Sequence, residues 1–271
     1  MRSGISTACL YPMKLEEAFS TLISMGFRVF EVFLNTCSEL RKDYLKELRR
    51  MADDGACSVK SVHPFTSGYE GFLLFSDYER RFEDGLAFYR SYFEACNLLG
   101  AAILVLHGQR RETGGADMEK RYLERYARLF ELGKTYGVTV AQENVNLMRG
   151  NDAGFVRRMR KFCGLDCAFV LDIKQAVREG KDPLALCDAM GKSLLHVHLN
   201  DNDPGSDCRL PGFGAMDYGP FLRRLVRNGF DGDFIIEVYR KSFGGLSELL
   251  QAQRFTERLI LSADAEDGNI P

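Results

Sequence analysis

The chain has 271 residues, 45% of them hydrophobic and 27% charged, with a formal net charge of −2. That composition supplies one large apolar core, and the near-neutral balance excludes a global nucleic-acid or membrane-surface signature. Eight scattered Cys with no CxxC pair, no apolar leader and no spanning apolar run predict buried free thiols in a soluble cytoplasmic protein without membrane attachment.

Apolar period 2 and period 3.6 alternate along the whole chain. Ile5 to Leu10 is expected as a short strand and Leu15 to Met25 as a helix. A strand over Val29 to Leu34, a helix over Glu39 to Met51 and a strand over Ser58 to His63 follow. Pro64 to Ser76 reads as a long loop rich in aromatics and Gly, a pattern often used for lids. Next come a helix from Phe82 to Leu99, a strand from Ala102 to Leu106 and a helix from Met118 to Tyr136. Four further strands are Val138 to Glu143, Cys167 to Asp172, Ser193 to His198 and Asp233 to Glu237. Helices over Ala153 to Phe162, Asp182 to Met190 and Tyr218 to Asn228 alternate with them, and Ser247 to Leu261 closes the pattern. Gly26, Gly100, Gly137, Gly164 and Gly229 fall where helix C-termini are expected.

Eight strand–helix units predict an α/β fold, a single-domain (β/α)8 TIM barrel over residues 1–263 with a frayed tail over 264–271. A doubly wound open sheet is the competitor. It would have fewer strands and usually a Gly-rich phosphate turn after the first. Here that turn is Cys9-Leu-Tyr-Pro12, and no linker divides the chain.

Glu143, Asp172, His198 and Glu237 end, or nearly end, the last four strands. In a closed parallel barrel those ends converge on one mouth, where two Glu, one Asp and one His make an open-sided site for a hard or borderline divalent cation. Mn2+ or Zn2+ is favoured over Mg2+ or Co2+. Salt bridges within the barrel are the structural alternative, because a buried carboxylate needs a partner of some kind. All four His of the chain, His63, His107, His196 and His198, fall at or near strand ends. His196 and His198 are two apart and share a face; His198 is the expected ligand and His196 lies one layer down. Lys174 follows Asp172 by two and either recognises substrate or neutralises a site carboxylate. Arg110, Arg111, Arg149, Arg178, Arg209, Arg240 and Lys241 add positive charge to the same loops. They form a solvated rim or point to an anionic substrate carrying phosphate or carboxylate.

The ordered segments Ser61-Val-His63-Pro, Val105-Leu-His107-Gly, Gln142-Glu143-Asn144, Leu171-Asp172-Ile, His196-Val-His198-Leu-Asn-Asp201, Leu210-Pro-Gly212-Phe-Gly214 and Ile236-Glu237 span the chain. This set resembles the xylose-isomerase-like barrel superfamily, which holds sugar isomerases and epimerases, inosose dehydratases and endonuclease-IV-type AP endonucleases. The resemblance implies a metal held by Glu143, Asp172, His198 and Glu237, with Glu143 and Glu237 also exchanging the substrate proton. It implies substrate-side roles for His63 and His107, whose counterparts hold a further zinc in the endonuclease branch. Gln175 and Arg209 stand where that branch has His ligands of a third zinc, which argues against a nuclease. Many sugar epimerases also carry His at the position of Gln175, and Arg209 resembles their substrate-oriented Arg. The implied activity is proton transfer through an enediolate on a small-molecule carbohydrate, with a keto-inositol dehydratase-like lyase as the nearest alternative. Nucleic acid is not the expected partner, and a homo-oligomer is compatible with the pattern.

Overall fold

The structure, a computed structural model, describes residues 1–111 and 116–267. Among these, eight parallel strands close into a barrel: β1 (Ser3–Ser6), β2 (Val29–Phe33), β3 (Ser58–His63), β4 (Ile103–Leu106), β5 (Thr139–Glu143), β6 (Ala168–Asp172), β7 (Leu194–Leu199) and, after a small antiparallel hairpin of β8 (Asp201–Asp203) and β9 (Ser206–Arg209), β10 (Asp233–Ile236). β10 pairs with both β7 and β1, which closes the ring. The expected architecture is the observed one. A sheet that closes on itself leaves no edge strand to protect.

The strands are apolar because both faces are covered. All five residues of β6 are buried, as a parallel strand between a packed barrel interior and an outer helix layer requires. The outer layer is α1 (Leu15–Ser24), α2 (Lys42–Asp54), α3 (Glu70–Leu73), α4 (Glu79–Leu99), α5 (Ala116–Thr135), α6 (Ala153–Cys163), α7 (Ile173–Arg178), α8 (Pro183–Met190), α9 (Tyr218–Arg227) and α10 (Leu246–Asp267). α9 shows the logic of this layer. Asp217 caps it by accepting the Gly219 N–H, and Tyr218, Phe221, Leu222 and Leu225 form the buried stripe. Gly100 ends α4 at φ 75°, a left-handed angle that a Cβ would disfavour. No helix among the described residues is long and apolar enough to cross a membrane. All eight Cys are free thiols.

Three expectations need correction. β1 stops at Ser6, because the Ser6 hydroxyl accepts the Ala8 N–H and starts a 3-10 turn over Thr7–Leu10. The aromatic segment after β3 is not an open loop. It forms a 3-10 turn, Phe65–Tyr69, followed by α3, and it is pinned through buried Glu70, which accepts the Gly108 N–H at 2.5 Å and the Tyr89 hydroxyl at 3.0 Å. The last helix continues to Asp267, past the expected stop at Leu261; residues 268–271 of the expected tail lie outside the described residues.

Candidate active site at the barrel mouth

A cavity of about 600 Å³ opens at the C-terminal ends of the strands. Its floor carries His63, His107, Glu143, Lys174, Gln175 and Glu237; its walls carry Tyr11, Phe33, Phe65, Val238 and Tyr239. Each floor residue is placed by the same device: a strand ends, and the chain turns outward at the mouth.

Glu143 ends β5, Asp172 ends β6, His198 lies one residue from the end of β7, and Glu237 follows β10 directly. Register explains their meeting, since Asp172 is the partner of His198 across β6 and β7. One ligating atom from each of the four lies within 4.8 Å of the others. The His198 Nδ1 edge is central. It is 3.1 Å from Glu237 Oε2, 3.3 Å from Glu143 Oε1 and 3.9 Å from Asp172 Oδ2.

Asp172 is held rigidly. Its backbone N–H donates to Asn144 Oδ1 at 2.6 Å, its carbonyl accepts from Asn144 Nδ2 at 2.9 Å, and its Oδ1 accepts from Asn200 Nδ2 at 3.0 Å. Its side chain also accepts the Gln175 N–H at the start of α7. The other oxygen, Oδ2, takes the Lys174 ammonium, which also donates to Glu237 Oε2 at 2.6 Å. Lys174 is therefore an internal cation shared by two of the four acids and imidazoles. It also lines the cavity, so both readings of this residue remain physically compatible.

His63 and His107 reach the same point from β3 and the end of β4. Their Nε2 atoms are 2.9 Å apart, and Glu143 Oε2 lies 3.0 Å from His107 Nε2 and 3.7 Å from His63 Nε2. Despite that proximity, Glu143 Oε2 accepts no well-aligned hydrogen bond. A buried carboxylate oxygen without a partner is costly. It is the observation that a cation ligated at this spot would satisfy, and three carboxylates with one imidazole suit a hard or borderline divalent ion. The His63, His107 and Glu143 atoms form a second group with ligand spacing, and Glu31, His196 and His198 a third.

The electrostatics separate the acids. Burial pushes Glu143 up, but His107 and His198 outweigh it and hold the carboxyl well below the usual range. Burial likewise opposes ionisation of Glu237, and His198 with Lys174 overcomes it, so Glu237 is also held low. Asp172 goes the other way: burial, helped by the nearby charges of Glu237 and Glu143, lifts it to about 7 in spite of Lys174. Burial pulls Lys174 and His198 down, and the surrounding carboxylates more than reverse this for both.

The structure does not bring Arg209 to this cavity. Its guanidinium bonds Asp203 at 2.9 Å within the β8–β9 hairpin and is half exposed. Arg178 is taken by Asp207 and the Tyr239 hydroxyl, Arg111 by Glu179, and Arg149 is buried against Gln109. Of the rim cations, Arg240 and Lys241 border the opening together with Lys174. His196 lies below, 3.2 Å from His198 by their Nε2 atoms. Glu31, in mid-β2 and fully buried, was not among the expected site residues. A lone acid inside Val-Phe-Glu-Val-Phe was the available signal. Asn144 and Asn200 were likewise passed over, although each follows a site residue by one or two positions.

A family model described as xylose isomerase-like TIM barrel matches residues 19–259. An uncharacterised Mycobacterium tuberculosis protein is 27% identical over 273 aligned positions, covering 92% of each chain. Fructoselysine 3-epimerase of Escherichia coli O157:H7 is 20% identical, covering 88% of this chain and 90% of the enzyme. A solved structure described as a D-tagatose 3-epimerase-like protein superposes with a TM-score of 0.80 at 16% identity, covering 98% of this chain and 99% of the other.

Proposed function

The chain belongs to the xylose isomerase-like TIM barrel family, and from that premise we propose that it is a divalent-metal-dependent sugar isomerase or epimerase. The observation that carries this reading is the meeting of Glu143, Asp172, His198 and Glu237 within 4.8 Å, with Glu143 and Glu237 lining a sugar-sized cavity and Asp172 and His198 buried behind them. The 3-epimerase names among the similar proteins support it. Glu143, Asp172, His198 and Glu237 would hold the cation, Mn2+ or Zn2+ first. A bound divalent cation supplies Lewis-acid polarisation of the substrate's carbonyl oxygen.

The remaining work falls to the chain. Glu143 and Glu237 are held ionised by their imidazole and ammonium neighbours, so either can take the proton from the carbon next to the carbonyl. They stand on β5 and after β10, strands that lie to either side of β6 and β7 in the barrel, which suits removal from one face and return to the other. His63 and His107 line the cavity beside Glu143 Oε2 and orient substrate hydroxyls. Tyr11, Phe33, Phe65 and Tyr239 wall off water and offer apolar surface to the sugar's C–H face. If the substrate is a sugar phosphate or sugar acid, Arg240 and Lys241 are the rim cations placed to meet it.

The test is a panel of ketoses and keto-sugar acids incubated with the Mn2+-supplemented protein in D2O. Deuterium should appear on the carbon next to the carbonyl, and the carbon-bound deuterium should be lost in Glu143→Gln and Glu237→Gln. Turnover without solvent exchange would mean hydride transfer and would defeat the proposal. A dehydrated product would assign the same enolate to a lyase.

A further inference from the structure

Glu31 is fully buried in the middle of β2. A barrel strand covered on both faces has no structural need of an ionisable side chain there, and burying one is costly unless its oxygens are met. Oε2 is met three times. Ser61 Oγ donates to it at 2.8 Å, His198 Nε2 lies 3.0 Å away and His196 Nε2 3.4 Å away. The β2–β3 register sets Ser61 directly beside Glu31, and the two imidazoles arrive from one face of β7.

His198 is thus gripped on both edges. Its Nε2 edge faces Glu31, deep in the barrel; its Nδ1 edge faces Glu237 and Glu143, at the mouth. A carboxylate only accepts, so a ring nitrogen bonded to one carries a hydrogen. Without a cation both edges meet carboxylates and both nitrogens carry a hydrogen; as a ligand the neutral ring has one N–H and one lone pair. The partner at one edge therefore decides what the other edge offers.

We propose that Glu31 is a positioning residue: it takes the Nε2–H of His198, so that Nδ1 is the nitrogen presented to the cation shared with Glu143, Asp172 and Glu237. The inference rests on the cation-site reading above and adds to it the residue that sets which nitrogen binds. Ser61 and His196 keep Oε2 aimed, and the barrel strand keeps Glu31 from tilting away. Carboxylates that hold a liganding imidazole in this way strengthen metal binding, and losing one lowers affinity typically by about 10–100-fold.

The experiment uses Zn2+ titrated calorimetrically into the metal-stripped full chain, wild type and Glu31→Gln, with long-range proton–nitrogen spectra of the Zn2+-loaded wild type. The amide variant keeps the volume and removes the charge. It should bind Zn2+ about 10–100-fold more weakly while the metal-free protein melts within a few degrees of wild type. In the wild-type spectra His198 should carry its hydrogen on Nε2 and none on Nδ1. Equal Zn2+ affinity in Glu31→Gln, or a hydrogen on Nδ1, would overturn the inference. If the variant does not fold, the wild-type spectra decide alone. A wild-type chain that takes up no Zn2+ would remove the cation site itself, a different failure from an unaltered Glu31→Gln.

Discussion

Asp201 and Asp172 are both buried aspartates at the barrel mouth, and the chain satisfies them in opposite ways. Asp201 accepts four backbone N–H groups, from Asn202 at 2.8 Å, Gly212 at 3.0 Å, Gly214 at 3.1 Å and Met216 at 3.0 Å. Those bonds fold the Pro-Gly-Phe-Gly loop around one carboxylate. The approach is close enough that a Cβ at position 214 would sit 2.4 Å from Asp201 Oδ1, so glycine is required there. Asp172 fixes only Oδ1 this way, through the Gln175 N–H and Asn200; its Oδ2 instead shares the Lys174 ammonium with Glu237, among neighbours that leave Glu143 Oε2 unmatched. Backbone amides cannot leave; an ammonium on four methylenes can swing away. The first arrangement is a fixed scaffold, and the second is a cluster whose partners are exchangeable, as a binding site requires.

Site and scaffold variants should fail in different ways. Glu143→Gln and Glu237→Gln should lower turnover by about 10²–10⁴-fold, the usual worth of a positioned proton carrier, with melting temperatures near wild type. Steady-state rates and calorimetric melts on the same preparations check both halves. Asp201→Ala should do the reverse. Stranding four amides at about 1–3 kcal/mol each, less what entering water recovers, should cost at least roughly 3 kcal/mol in urea unfolding.

Lys174→Met removes the exchangeable partner itself. The metal-free protein should lose about 2 kcal/mol, less than the 3–5 kcal/mol of a broken buried pair, since Asp172 can take up a proton near neutral pH. Saturating Zn2+ or Mn2+ should restore most of the loss, read as a metal-dependent melting temperature. A loss that metal does not repair would make Lys174 a scaffold residue like the Asp201 amides.

Glu70 lies between the two extremes, with one amide and one phenol as partners. Burial lifts it to about 8, against the opposing pull of the Gly108 N–H and Tyr89 hydroxyl. A carboxyl raised in the fold binds its proton more tightly folded than unfolded. Its stabilisation is complete below its ordinary value of 4.5 and is lost as pH climbs toward 8. Relative to wild type, Glu70→Gln should therefore gain stability steadily across that window and be the more stable protein at pH 8. Unfolding curves at several pH values would show a flat difference if Glu70 ionises freely in the fold.

How much of this the sequence carried depends on range. The strand ends were readable because a parallel barrel makes each strand a short apolar run, and the acids that end β5 and β6 and follow β10 close that run visibly. Glu31 was harder, since one acid inside a five-residue strand gives no periodic signal, and its partners Ser61, His196 and His198 come from other strands. The neutralising position of Lys174 follows from Asp172 capping α7, so that position 174 lies in the first turn beside the cluster. Arg209 was placed by motif similarity and by its position among the loop cations, without the β8–β9 hairpin that pairs it locally with Asp203. The early stop of β1 turned on one hydroxyl, Ser6, meeting one amide.

Anomalous diffraction from crystals grown with Mn2+ tests the central claim most directly. One strong peak is expected about 2.0–2.3 Å from Glu143, Asp172, His198 Nδ1 and Glu237, with Lys174 Nζ withdrawn from the gap between Asp172 and Glu237. Crystals grown at saturating Mn2+ that show no peak there, and Lys174 still bridging both carboxylates, would contradict it.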